Sequence, residues 1–143
     1  MIAIGSDHGG FILKEAVKAY LVEQGHEVKD LGCYTHESVD YPVYGKAVGR
    51  AVASGECEKG IVICTTGIGI SMAANKIKGV RCALCSDSYT ARLTREHNDV
   101  NVLALGAGVT GPLLAMEIVD TFLNTEFSGA ERHKRRVEMI EAD

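Results

Sequence analysis

Five short apolar runs alternate with segments of helical periodicity along the 143 residues, and that alternation admits few folds. Ile2 to Gly5, His26 to Leu31, Ile61 to Cys64, Val80 to Cys85 and Val102 to Leu105 read as strands. After the first, Leu13, Ala16, Val17, Tyr20 and Leu21 recur at helical spacing, and Gly25 stands where a helix would be capped. Pro42 opens a second helix that carries Tyr44, Ala47, Val48, Ala51 and Val52 on one face. Further helices are expected from about Ile70, from Ser88 as N-cap to about Glu96, and after Gly111-Pro112 with Ala115, Ile118, Val119 and Phe122 inward. A last polar helix spans Ala130 to Glu141. Its few apolar positions, Val137 and Ile140, suit packing on a partner subunit. Strands alternating with helices dictate a parallel sheet covered on both faces, so the fold expected is α/β, a single doubly wound, Rossmann-like domain over residues 1–143. It has five parallel strands, right-handed crossovers and a ligand site at the carboxyl ends of the strands.

Charge narrows the partners. The net charge of -4 and the absence of a dominant basic face argue against nucleic acid. The one cationic cluster, Arg132-His133-Lys134-Arg135-Arg136, is too small for a duplex footprint and large enough for a phosphate group. On a helix, Arg132 and Arg136 fall on the same face. No apolar run approaches the roughly 20 residues that span a bilayer, and none at the N-terminus resembles a signal peptide. Neither a membrane nor a targeting role is therefore expected. Five cysteines, an odd number, point to a reducing cytoplasm. Cys82 and Cys85 form a C-x-x-C, but on a strand residues three apart face opposite ways and cannot share a metal, so they read as buried structural thiols.

The most informative stretch is Gly60-Ile61-Val62-Ile63-Cys64-Thr65-Thr66-Gly67-Ile68-Gly69-Ile70-Ser71. A strand ends on a cysteine, and a Thr/Gly turn opens into a helix. A thiol beside helix N-terminal N–H groups is favoured as the thiolate and has an anion hole next to it. A base and an anion hole side by side are what proton abstraction next to a carbonyl requires. Ser6-Asp7-His8-Gly9-Gly10, just after the first strand, joins the same rim with a carboxylate and an imidazole, and Arg95-Glu96-His97-Asn98-Asp99 precedes the fifth strand. Singly, each residue has a plainer role, such as capping for Asp7 or a turn for Thr66 and Gly67. Capping does not account for a thiol and two imidazoles in one layout.

Gly5-Ser6-Asp7-His8-Gly9-Gly10-Phe11, Asp40-Tyr41-Pro42, Cys64-x-Thr66-Gly67-x-Gly69-x-Ser71, Ala73-Ala74-Asn75-Lys76, Arg95 to Asp99, and Arg132-His133 with Arg136-Val137 together resemble the type-B ribose-5-phosphate isomerases, a family that includes galactose-6-phosphate isomerase subunits. The resemblance runs in order from residue 1 to about residue 140. It implies an aldose–ketose isomerase of the pentose phosphate pathway that converts ribose 5-phosphate to ribulose 5-phosphate with neither metal nor other cofactor. By similarity Cys64 is the general base, Thr66 and the N–H groups of Gly67 to Gly69 hold the enediolate, and His97 helps open the furanose. Asp7 contacts sugar hydroxyls or shares that proton traffic. His8, Arg132 and Arg136 hold the phosphate, and Tyr41 and Asn98 line the sugar. The resemblance also implies a homodimer, open to pairing into tetramers, with His97 and Asn98 serving the neighbouring subunit's Cys64.

Two positions depart from the family pattern. Thr65 stands where a glycine is usual, and Gly108 occupies a slot where many members carry a phosphate-contacting arginine. A threonine held at positive φ would be strained, whereas an extended one would narrow the site. The smaller Gly108 leaves room for a six-carbon sugar phosphate (allose 6-phosphate or galactose 6-phosphate) and Thr65 opposes it. Outside the family, a non-catalytic phosphate-binding module or a thiol switch remains the alternative; a binder needs neither Cys64 nor His97.

Overall fold

The structure, a computed structural model, describes residues 1–143 and contains five parallel strands. They are β1 Ile2–Ser6, β2 Val28–Asp30, β3 Lys59–Cys64, β4 Cys82–Leu84 and β5 Val102–Gly106, in the order β2-β1-β3-β5-β4. Six helices connect or follow them: α1 Phe11–Glu23, α2 Tyr41–Ala53, α3 Ile68–Ala74, α4 Ser88–Asn98, α5 Pro112–Asn124 and α6 Glu131–Glu141. β1, β3 and β5 are buried nearly throughout, as strands covered on both faces must be.

Two apolar layers sandwich the sheet. On one face Leu13, Val17 and Leu21 of α1, Ala91 of α4, and Ala115, Ile118, Val119 and Phe122 of α5 pack on Ile4, Ile61, Ile63, Leu103 and Leu105. On the other, Val48, Ala51 and Val52 of α2 and Ile70 and Ala74 of α3 pack on Ala3, Val62, Val102 and Ala104. Cys85 belongs to the first layer and Cys82 borders the second, so the C-x-x-C straddles the sheet as strand alternation requires. Burial pushes the Cys82 thiol up to about 12 and raises Cys85 as well, which keeps both protonated.

One local detail differs from the sequence reading. The N-cap of α4 is Asp87, whose carboxylate accepts the Thr90 N–H at 2.7 Å, and not Ser88, whose buried hydroxyl has no partner. An ionised side chain one residue earlier is the stronger acceptor at a helix N-terminus. α6 docks on α4 of its own chain through a buried His133, while Met139 and Ile140 stay exposed. Arg81 clamps its end, reaching Glu141 at 2.8 Å and the Asp99 carbonyl at 2.8 Å.

Within the core lies an ion pair that the periodicity does not announce. The side chain of Lys14, on the inner side of α1, is 0% exposed and lies 2.7 Å from Asp30 at the end of β2. Asp30 also accepts from Lys18 at 3.0 Å and from the Gly32 N–H at 2.9 Å. Burial alone would raise the Asp30 carboxyl, but Lys14, the Gly32 N–H and Lys18 together hold it below the usual carboxylate range.

Candidate active site

β1 and β3 are neighbours from which the chain departs in opposite directions, so the loops after them diverge and leave a crevice at their carboxyl ends. Asp7 to Gly10 form one wall and Cys64 to Gly67 the other. The two lie close together: the Asp7 N–H donates to the Ile63 carbonyl at 3.3 Å.

Cys64 ends β3 with 5% of its surface exposed. Its sulfur accepts the Gly67 N–H at 3.1 Å, the one side-chain hydrogen bond it makes. Gly67 holds φ at +79°, and a Cβ there would lie 2.4 Å from Leu84 Cδ1, so the turn that aims this N–H at the sulfur requires glycine on two counts. The Thr66 hydroxyl accepts the Ile68 N–H at 3.2 Å, and the exposed Thr66 borders a cavity of about 250 Å³ together with Leu84 and Gly106. Tyr41, at the start of α2, lies close against Gly69: a Cβ there would meet its ring at 2.6 Å.

Asp7 is 7% exposed, and its Oδ1 accepts the Gly10 N–H at 3.1 Å, capping the short 3-10 turn His8–Gly10. Its Oδ2 carries no hydrogen bond. The exposed His8 accepts the Val39 N–H on Nδ1 at 3.2 Å, which leaves Nε2 as the ring's donor.

Thr65 is not at positive φ and is therefore unstrained. Its hydroxyl lies 2.2 Å from where a Cβ on Gly9 would stand and its methyl 3.1 Å from where one on Gly108 would stand. The two departures noted in the sequence are thus one: Thr65 occupies the room that the bare Gly9 and Gly108 leave. Nothing in the sequence pairs these positions, because the three loops meet only at the sheet edge.

His97 and Asn98 are elsewhere. β5 pairs Val102 with Gly60 and Gly106 with Cys64, so the end of α4, just before β5, is at the amino edge of the sheet. Four residues of strand separate the two edges by about 13 Å. Asn98 there borders a concavity of about 640 Å³ shared with Lys78, Arg81 and Val100. The exposed His97 lies against His133 of α6, with ring centroids 4.6 Å apart and the planes tilted by 38°. On the same helix Arg132 and Arg136 are exposed, one turn apart, with no hydrogen bond or ion pair to either guanidinium. One chain therefore carries the named residues as two groups. Asp7, His8, Tyr41, Cys64, Thr66, Gly67 and Gly69 occupy the carboxyl rim, and His97, Asn98, Arg132 and Arg136 occupy the α4–α6 corner. The sequence reading counted His133 in the Arg132-His133 motif and gave it no role of its own, although it stands at the inward position of an otherwise polar helix.

A parallel doubly wound sheet with a thiol, a carboxylate and an imidazole at its switch point defines a class of small α/β enzymes, and comparison with known proteins narrows the class. Residues 2–140 match the family described as Ribose/Galactose Isomerase. The chain is 53% identical over 141 residues to ribose-5-phosphate isomerase B of Escherichia coli, covering 99% of this chain and 94% of that one. It is 40% identical to a galactose-6-phosphate isomerase subunit of Clostridium acetobutylicum, covering 100% and 85%. The solved structure of ribose-5-phosphate isomerase B from Clostridium thermocellum superposes with a TM-score of 0.96 at 56% identity, covering 98% of this chain and 94% of that one. The chain belongs to the ribose/galactose isomerase family and is an aldose–ketose isomerase. No helix is long and apolar enough to cross a membrane.

Proposed function

We propose that the protein interconverts ribose 5-phosphate and ribulose 5-phosphate through an enediolate, with Cys64 as the base. The observation that carries this reading is the Cys64 sulfur, held by the Gly67 N–H at the switch point of the sheet. The thiolate takes the C2 proton of the open-chain aldose, and the electron pair flows into C1–C2 and onto O1. The thiol then returns that proton to C1 while the O2 proton passes to O1, leaving the ketose. The Thr66 hydroxyl and the N–H groups from Gly67 to Gly69 hold the oxygens as charge develops. Tyr41 and Asn98 line the sugar, and the phosphate lies among His8 Nε2, Arg132 and Arg136. Ring opening precedes this chemistry: His97 gives a proton to O4 as C1–O4 breaks, and the anomeric hydroxyl gives its proton to Asp7. No metal or other cofactor enters any of these steps. Thr65 supports the pentose over a hexose, because its methyl fills the space that Gly108 leaves. Five free cysteines fit a reducing cytoplasm as the place of action.

The separation of His97 and Asn98 from Cys64 supports a homodimer in which each site draws the α4–α6 corner from the partner copy. Exposed Ile68, Met72, Leu84 and Tyr89 give such a contact its apolar surface. Two experiments test the proposal. With ribose 5-phosphate, allose 6-phosphate and galactose 6-phosphate assayed side by side, the pentose is expected to give the highest kcat/KM; a preferred hexose would overturn the substrate. Cys64→Ser and His97→Asn chains, each inactive, are expected to recover about a quarter of wild-type activity when unfolded and refolded together, because half the dimers are mixed and each holds one intact site. No recovery would mean that the two residues act within one chain or not at all.

A further inference from the structure

We propose that His133 is a positioning residue for His97, fixing the plane and approach of the imidazole that opens the sugar ring. The inference rests on the reading of His97 as the ring-opening acid. His97 is exposed, and its ring makes no hydrogen bond within the chain; the one ring it touches is that of His133, at 4.6 Å between centroids and 38° between planes. His133, by contrast, is locked. It is 7% exposed, and its Nδ1 lies 2.7 Å from the Ser128 hydroxyl. That hydroxyl also accepts the Ala130 N–H at 3.2 Å, at the entry to α6. The Ser128 N–H in turn donates to the carbonyl of Glu96, the residue before His97, at 3.1 Å. The contacts close a ring: Glu96 to Ser128, Ser128 to His133, His133 to His97. Arg95 fixes the same corner from below, donating to the carbonyls of Thr125 at 3.0 Å and Val100 at 2.7 Å.

This arrangement suits an acid that must reach into a site built on another surface. A side chain free to rotate spends little time in the reactive geometry, and a misplacement of about 1 Å costs on the order of 100-fold in rate. A flat, buried neighbour removes that freedom without taking a nitrogen of His97. Burial first, then Arg132, His97 and Arg136, hold the His133 imidazole below its ordinary range. Arg132 and Arg136 flank it on the same helix, so one rigid element orients both the acid and the two phosphate-binding cations.

The test separates ring opening from proton transfer. Ribulose 5-phosphate is open-chain, so exchange of its C1 protons in D2O needs the base and the anion hole but no ring chemistry. In His133→Ala, kcat for ribose 5-phosphate is expected to fall about 10- to 100-fold with KM little changed, while C1 exchange stays within about threefold of wild type. His97→Ala should show the same split, more deeply. His133→Phe, which keeps a flat ring against His97, should regain most of the lost kcat. Equal loss of both rates in His133→Ala, or a rise in KM alone, would overturn the positioning role in favour of a structural or a phosphate-binding one. If His97→Ala shows no split, the ring-opening reading fails and takes this inference with it. If His97→Ala splits and His133→Ala does not, the inference alone fails.

Discussion

Cys64→Ser is expected to lower kcat by about 10³-fold or more while the protein stays folded. The hydroxyl is far too weak an acid to stand as an oxyanion near neutral pH, so the proposed base is lost, although the anion hole and phosphate contacts of the proposed mechanism are untouched. The fold should tolerate the change. The side chain is a nearly buried strand-end atom, and an oxygen there still accepts the Gly67 N–H that now meets sulfur at 3.1 Å. The measurement is turnover of ribose 5-phosphate together with C1 exchange of ribulose 5-phosphate, and both should vanish. A kcat within tenfold of wild type, in a variant with an unchanged melting curve, would remove the thiol from the mechanism.

Asp30→Ala is expected to cost about 3 kcal/mol, because it leaves the fully buried Lys14 ammonium with no carboxylate nearer than Glu15 at 3.6 Å and otherwise only the faces of the Phe11 and Tyr34 rings, 5.4 and 5.7 Å from their centroids. With a urea m-value of about 2 kcal/mol/M, the midpoint should move down by about 1.5 M. Lys14→Met should cost less: Asp30 keeps Lys18 and the Gly32 N–H, and a methionine fills the lysine's apolar path. A midpoint shift below about 0.5 M for Asp30→Ala would mean that the lysine finds water on its own. The Asp30 carboxyl is held below its unfolded value, so its contribution is present above the ordinary carboxylate range and fades as the pH falls through the folded value. In Asp30→Ala the acid side of the stability profile should accordingly be flatter. The effect reaches the site as well, because the turn beyond Asp30 holds the end of β1: the Ser6 N–H donates to Gly32 at 2.6 Å and the Cys33 N–H to Ser6 at 2.7 Å.

Much of this molecule is legible in the chain because the decisive signals are local. Strand and helix periods differ, so Ile61 to Cys64 and the segment from Leu13 to Leu21 declare themselves without any knowledge of neighbours. The turn from Cys64 to Gly69 is equally local, since its closely spaced glycines after an apolar strand mark a turn before any neighbour is known; that Leu84 and Tyr41 are what crowd them is a tertiary fact. The α4 cap shows the limit of such reading. Asp87 and Ser88 both cap well, and the choice falls to the residue whose oxygen reaches the Thr90 N–H.

The sequence by itself determined the fold class, the family and which residue types stand at the ends of β1 and β3, because side-chain periodicity and turn composition act over a few residues. Only the tertiary structure decided the strand order that makes β1 and β3 neighbours, and with it the crevice that joins Asp7 to Cys64. It alone joined Thr65 to Gly108, buried Lys14 on Asp30, and put His97 on His133 at the opposite edge from Cys64. Each of these is a contact between segments far apart in the chain, formed when apolar faces close on both sides of the sheet. The burial that forces the closure is non-directional, so no local pattern records which polar groups it brings together.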